Sequence, residues 1–422
     1  MRNPFPQLAL VAASLIAAAC GSAGASRDAD RAGLITVFDS TADSIVARVD
    51  GEVATTAVRR LVEEMRIAPA MDDTSLFTNV FEFDVDVADR IWVYDAASHR
   101  IFLFGRDGAL IRTVGRQGAG PGEFAQGNGM IALPDTGLAV WDSRNARVSF
   151  FTSSGDFRAS WRTPAGFSTS NGLITDRSGA YWLRRPVTAP REGEILGRMG
   201  LVRLGPDGAL SDSTAPPDLP VSRDTYLAVS SDGRSRSSTS NSFAPNYHWQ
   251  WHPDGYFVAA HGGRYEIVLA RREGRPVVIR RSMPPVTIPP DERNEEQERI
   301  TWQMRTVQPG WSWSGPAIPE TKAPLTQLFI ARDGRIWARV ATPSERIPEA
   351  ELDAPREKGP PVRHFRSPVV WEVFAPSGRF LGRIPFPPRT TLMEADGDIV
   401  WALGRDENDL PALVRFRVDP VL

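Results

Sequence analysis

The sequence predicts an all-β fold: a six-bladed β-propeller of four-stranded antiparallel blades. Three observations carry this. One pattern, a small polar turn followed by an alternating apolar strand with an aromatic near its middle, recurs about six times. A second kind of turn follows most copies, so each repeat holds two hairpins and therefore four strands. Thirty-five glycines and thirty-five prolines among few helical patterns require many turns between short strands.

The first pattern appears as Ala88-Asp89-Arg90-Ile91-Trp92-Val93, then as Asp135-Thr136-Gly137-Leu138-Ala139-Val140-Trp141. It returns at Arg177-Ser178-Gly179-Ala180-Tyr181-Trp182, Pro253-Asp254-Gly255-Tyr256-Phe257, Arg332-Asp333-Gly334-Arg335-Ile336-Trp337 and Ala395-Asp396-Gly397-Asp398-Ile399-Val400-Trp401. Asp-Gly between apolar strands is a strong hairpin signal. The second turns are Arg106-Asp107-Gly108, Ser154-Gly155-Asp156, Pro206-Asp207-Gly208, Arg272-Glu273-Gly274 and Pro376-Ser377-Gly378. The last repeat lacks this turn and runs out of chain, while 59–67 is an orphan strand. Closing the ring with that N-terminal strand completes the last blade and leaves no frayed edge. Residues 39–49, turning at Thr41-Ala42-Asp43, read as an extra hairpin outside the ring. The strand-two aromatics Trp92, Trp141, Trp182, Phe257, Trp337 and Trp401 hold a fixed place in each blade. They are expected to pack blade on blade and not to form a carbohydrate-binding ring.

Between the first two repeats lies Gly115-Arg116-Gln117-Gly118-Ala119-Gly120-Pro121-Gly122-Glu123-Phe124. Four glycines and a proline in ten residues cannot be a helix interior or a central strand, so this is a fixed-shape joint. Asp142-Ser143-Arg144-Asn145-Ala146-Arg147-Val148 follows it, and Asp95-Ala96-Ala97-Ser98-His99-Arg100-Ile101 is a worn copy in the first blade. The repeated Asp and Arg spacing suits an aspartate bracing a turn and an arginine on the next strand. With the Gly-Pro-Gly-Glu-Phe joint, this resembles the NHL repeat. The whole chain looks like the bacterial six-bladed NHL-type propeller lipoproteins, most sharply over residues 90–160.

The N-terminus has its own logic. Arg2 precedes an apolar run over 8–19, too short for a comfortable membrane span, and small residues lead to Cys20, the single cysteine. Leu15-Ile16-Ala17-Ala18-Ala19-Cys20 resembles a bacterial lipobox, with Ala17 where leucine is usual. The expectation is a lipoprotein signal peptide over 1–20 with lipid attachment at Cys20, a tether and extra hairpin over 21–58, and the propeller over 59–422. Residues 21–32 read as a flexible tether. Gly21 and Ser22 after the cysteine favour the outer membrane by resemblance to lipoprotein sorting, with the protein facing the periplasm or cell surface. No transmembrane helix is expected in the mature chain. One cysteine excludes an intramolecular disulfide and a Cys-based zinc site. A net charge of −2, with no basic stripe, argues against nucleic acid as a partner. A monomer is expected.

Two insertions interrupt the repeats late in the chain. Pro289-Pro290-Asp291 opens the one convincing helix, through about Arg305, in a helical insertion of about 289–316. Lying between blades four and five, with Trp302, Trp311 and Trp313 nearby, it is placed to cover one mouth of the central channel. A second excursion spans 341–366, and a long loop at 211–242 carries a short strand at 226–229.

The candidate ligand-binding residues are His248, Gln250, His261, Trp302, Trp311 and Trp313. On a strand His248 and His252 stand roughly 13 Å apart, too far to share a metal. Folding back at Pro253-Asp254-Gly255 is expected to bring His261 near His248, as a metal pair or an acid and base. By resemblance, amidating-lyase and streptogramin-lyase relatives use channel histidines, but from several blades. The acids Glu82, Asp84, Asp86 and Glu394 lie on or beside inner strands and read as turn and rim acids; a calcium or lactonase-type site would need them to converge. No cofactor is expected, zinc or calcium being the alternative. The leading expectation is a non-enzymatic, membrane-tethered binding or scaffold module for a peptide, glycan or protein partner. Its rival is a channel-centred hydrolase or lyase using His248 and His261.

Overall fold

The computed structural model describes residues 26–29, 34–68, 76–135, 137–164, 171–189, 197–222, 224–352, 354, 359–406 and 409–422. The expected signal peptide over 1–20, with Cys20, lies outside the described residues. Six blades form the ring. Blade 1 is Val80–Val85, Ile91–Asp95, Arg100–Phe104 and Leu110–Val114. Blade 2 is Gly127–Ala132, Leu138–Asp142, Arg147–Phe151 and Phe157–Arg162. Blade 3 is Leu173–Thr175, Tyr181–Pro186, Met199–Leu204 and Leu210–Thr214. Blade 4 is Tyr247–His252, Tyr256–His261, Glu266–Ala270 and Val277–Arg281. Blade 5 is Leu325–Ile330, Ile336–Val340, Val370–Phe374 and Phe380–Pro385. Blade 6 takes Thr390–Asp396, Ile399–Arg405 and Pro411–Asp419 from the C-terminus and Arg60–Ile67 from the N-terminus. That last strand pairs antiparallel with Pro411–Asp419, from Ile67 opposite Leu413 to Arg60 opposite Asp419. The expected closure is therefore the observed one.

Apolar alternation on both faces of each sheet dictates where the core sits. One apolar cluster fills each junction between neighbouring blades. The strand-two aromatics are buried in these clusters, as their fixed register predicts. Two of the indoles have a specific reason to sit there. Trp92 donates to Asp86 at 3.3 Å and Trp182 to Asp176 at 2.9 Å, each aspartate standing six residues earlier in the hairpin turn. Asp176 also takes the Trp251 indole of blade 4 at 3.2 Å, tying blades 3 and 4.

The glycine-rich joint is held from three sides. Gly115 (φ +82°) and Gly122 (φ +75°) adopt the left-handed region, and a Cβ on Gly115 would meet the Phe124 ring at 2.3 Å. Phe124 is thereby buried between Tyr94 and Phe151. Asp142 accepts the amides of Ala125 (2.7 Å), Gln126 (3.1 Å) and Asn145 (3.0 Å). Asn145 donates to the Gly118 carbonyl, and Arg147 to those of Ala119, Gly120 and Glu123. In blade 1 Asp95 repeats the role, accepting from Thr78, Asn79 and Ser98.

The extra hairpin is Ile35–Ser40 and Ile45–Asp50. It joins the outer edge of blade 4, where Ile45–Asp50 runs parallel to Val277–Arg281. Ser26–Ala29, read from sequence as tether, is a further strand on Ile35–Ser40. The unpaired backbone edge of that strand is what recruits it.

The helix α1 spans Pro290–Arg305, as its entering prolines and first-turn acids Asp291 and Glu292 predict. Its buried residues are Glu292, Glu296, Ile300 and Met304, a stripe four residues apart. The apolar half packs on Tyr226, Ala228, Trp311 and Ile318. The helix thus shares its core with the hairpin Tyr226–Val229 and Arg236–Thr239 from the earlier loop. Among the described residues, no helix is long and apolar enough to cross a membrane.

Candidate functional site

The first strands of blades 1 and 2, of blades 2 and 3 and of blades 4 and 5 lie against one another. At the hairpin-turn end of the first strands, three blades contribute one cluster. Asp84 lies near the end of its strand in blade 1, Glu394 follows a register shift in blade 6, and Arg332 sits in the turn after the first strand of blade 5. The Arg332 guanidinium pairs with Asp84 and with Glu394 at 2.5 Å, and donates to the Val85 carbonyl at 2.6 Å. Asp84 also accepts the amides of Val85 (2.8 Å) and Ala132 (2.5 Å).

Burial pushes the Glu394 carboxyl well above its ordinary value, and the neighbouring Asp84 charge adds to this. Burial works against the Arg332 cation, but Asp84, Glu394 and Asp396 outweigh it and hold its pKa up. Beside the cluster opens a pocket of about 460 Å³, lined in part by Asp86, Arg106, Asp396 and Arg415. The expectation of turn and rim acids is corrected here. Asp84 and Glu394 converge, and the positive charge they converge on is a guanidinium. Asp86 does brace a turn, accepting the amides of Ala88 and Arg90.

Glu82 stands apart from that cluster. It is 2% exposed and accepts the Asn171 amide at 2.9 Å. Burial pushes its carboxyl up to about 8, against the Asn171 bond and the charge of Arg184. The Arg184 guanidinium lies over the Trp249 ring, 4.3 Å from its centre.

A second cavity, about 460 Å³, opens between the two late insertions. One wall is the polar half of α1, where Glu292, Glu295, Glu296 and Arg299 share a face. The opposite wall comes from the excursion after Ile336–Val340, including Thr342, Phe365 and Ser367. Three contacts staple the walls: Ser344 to Glu292 (2.6 Å), Arg346 to Asp291 (2.9 Å) and the His364 amide to Glu295 (2.9 Å). At the floor the Lys322 ammonium donates to the Thr342 carbonyl (3.0 Å), Ser367 (2.6 Å) and Ser344, and lies 3.8 Å from Glu292. Burial lowers the Lys322 pKa, with Glu292 resisting. The second carboxylate oxygen of Glu292, Oε2, is buried and accepts no hydrogen bond.

The sequence-predicted residues fall as follows. His261 pairs opposite Tyr247, and His248 opposite Ala260. Directly opposed residues share a face, so His248 and His261 point to opposite faces and are not brought together. The expected proximity is corrected by the register of the hairpin. Gln250 bridges blades, donating to the Leu328 carbonyl (3.1 Å) and accepting the Ile330 amide (2.9 Å). Trp311 is buried and donates to the Leu227 carbonyl at 3.0 Å, while Trp313 packs on Tyr226 at 4.6 Å. Trp302 is half-buried on α1. His252 is buried, stacked on Tyr256, with Nε2 3.0 Å from the Gly334 carbonyl. Among the described residues no three His, Cys, Asp or Glu side chains group to hold a metal.

Sequence reasoning missed Arg332, Arg184, Glu292 and Lys322. Lys322 carried the one usable signal, being one of two lysines in an arginine-rich chain.

No curated protein matches the chain by sequence. Solved structures similar to it include a member of the duf4221 family from Bacteroides vulgatus, at 11% identity and TM-score 0.47, covering 85% of this chain and 98% of that one. A gluconolactonase from Xanthomonas campestris aligns at 14% identity and TM-score 0.38, covering 85% and 99%. A catalytically inactive virginiamycin B lyase from Staphylococcus aureus, with quinupristin, aligns at 12% and 0.38, covering 84% and 99%. The family model DUF5128, described as a 6-bladed beta-propeller, matches residues 73–167, the stretch that holds blades 1 and 2 and the glycine-rich joint between them.

Proposed function

We propose that this protein is a membrane-tethered, extracytoplasmic binding module whose peptide, glycan or protein ligand seats between the two late insertions. The observation that carries the reading is the stapled cleft itself. Neither insertion supplies a strand to the ring, yet together they enclose a polar cavity of about 460 Å³, a size suited to a ligand group. The propeller is then the scaffold, and Cys20, lipid-modified and left as the first residue after loss of residues 1–19, is the tether.

Thr326 stands exposed on the cleft wall, so Thr326→Trp fills the cavity from an exposed position. Ligands found by melting-temperature shift from peptide and glycan collections should stabilise the native protein and not this variant. Equal stabilisation of both would move the site elsewhere. The tether has a separate check: Cys20→Ser should shift the protein from membrane to soluble fractions, and unchanged partition would refute it.

One observation favours a second reading. Glu394, its carboxyl pushed well above the ordinary range by burial and held beside Arg332, is a candidate acid at the edge of a pocket. Turnover of ester or lactone substrates that is lost in Glu394→Gln would replace the binding-only reading with a channel-centred hydrolase.

A further inference from the structure

Within the insertion cleft, each polar group can be asked whether it already has its partner. Glu296 is held by Arg299 at 2.7 Å and by the Ser242 amide at 2.6 Å. Glu295 is held by His364. Arg366 pairs with Glu345 at 2.7 Å and with Glu351 at 2.5 Å. Lys322 has three oxygen acceptors and a nearby carboxylate, which saturates an ammonium. Three charged groups remain. Glu292 is 6% exposed, and its Oε2 lacks a donor at the buried floor. Arg339 and Arg363 line the same cavity, and neither forms an ion pair among the described residues. Burial lowers the Arg339 pKa with no acid to oppose it.

A buried carboxylate oxygen without a donor and a half-buried guanidinium without an acid are costly to leave so, while the exposed Arg363 adds a second guanidinium to the same lining. Together they specify a ligand that brings at least one hydrogen-bond donor to the floor and an anion to the arginines. The remaining lining narrows the class. Ser344 puts a hydroxyl on Glu292 and Ser367 puts one on Lys322, and the Phe243 and Phe365 rings line the walls, with Lys322 and Arg346 over one face of each. Donors, acceptors and a flat apolar face together match a sugar ring better than a peptide side chain, which wants an apolar hollow.

We propose that the cleft binds an acidic carbohydrate, a uronate-bearing oligosaccharide, with its carboxylate on Arg339 and Arg363 and a ring hydroxyl donating to Glu292. This rests on the reading of the cleft as the binding site and specifies its ligand class. Planar guanidinium groups suit a carboxylate, and the contact weakens with added salt.

The test is calorimetric titration of the full chain with trigalacturonate, against maltotriose as the neutral sugar and triglutamate as the acidic peptide. Trigalacturonate should bind, weaken about tenfold in Arg363→Ala, and fail on Thr326→Trp. Arg363 is exposed, so its variant keeps the fold; Glu292→Gln should weaken binding as well. Equal binding of maltotriose overturns the role of the anion. Equal or tighter binding of triglutamate overturns the carbohydrate in favour of an acidic peptide. No binding of trigalacturonate overturns the proposal outright. If other ligands then still lose affinity on Thr326→Trp, the binding-module reading stands without it; if none does, that reading falls too.

Discussion

Glu82 holds a proton that the unfolded chain gives up. Its carboxyl rises from 4.5 to about 8 because the side chain is buried, and the Asn171 amide and Arg184 only partly offset this. Between those values the folded state binds the extra proton, so stability falls as pH rises. The contribution is complete below about 4.5 and is lost as pH climbs through about 8, with a slope of at most about 1.4 kcal/mol per pH unit. Glu82→Gln keeps an acceptor for Asn171 and cannot ionise. In urea unfolding it should match the native protein near pH 5 and exceed it by about 2 kcal/mol or more at pH 8.5. A difference that stays constant across that range would remove Glu82 as the cause. The residue's role was not legible beforehand, because its solvation depends on chain some ninety positions away. The tryptophans were legible, since a fixed register in every blade already implied burial. Their partners were not uniform, however: Trp92 and Trp182 find an aspartate six residues back, whereas Ala331 stands at that position before Trp337, whose indole nitrogen has no partner.

Asp142, Asn145 and Arg147 act as one clamp on the joint between blades 1 and 2. Removing the Asp142 carboxylate strands three amides that nothing else is placed to accept. Asp142→Ala should therefore cost about 3 kcal/mol in denaturant unfolding. Asp107→Ala, in an exposed turn where one amide at 3.1 Å is released to water, should cost less than about 1 kcal/mol. Similar losses at the two sites would contradict the clamp. This element was readable from its residues because glycine, proline and a repeated Asp–Arg spacing are local signals. The blade 4 hairpin was readable as a hairpin but not in register. A shift of one position exchanges the faces of every side chain, and that shift decided whether His248 and His261 met. The helix behaved likewise: its start and end were local facts, while its packing on Tyr226 and its facing of the 341–366 excursion were not.

A ring has no stability of its own at an open seam, and here the seam lies inside blade 6. Arg60–Ile67 closes it through backbone pairing along Pro411–Asp419, reinforced by Arg60 on Asp419 and by Arg415 and Arg417 on Glu64. Ile67 also enters the apolar cluster between blades 6 and 1. Deleting residues 1–68 should abolish the cooperative melting transition, whereas deleting 1–50 should leave it in place at a lower temperature. A truncated 69–422 chain that melts like the native protein would show that the seam is not closed by that strand. By itself the sequence determined the number of blades, the closure by the leading strand, the helix α1 and the packing role of the repeated aromatics, because each follows from periodicity and turn chemistry within short stretches. Only the tertiary structure decided that Asp84 and Glu394 share Arg332, that Glu82 is sealed from water, and that two distant insertions wall one cleft around Glu292 and Lys322. Those meetings depend on which residues the closed ring brings within hydrogen-bond reach, and separation along the chain carries no record of that.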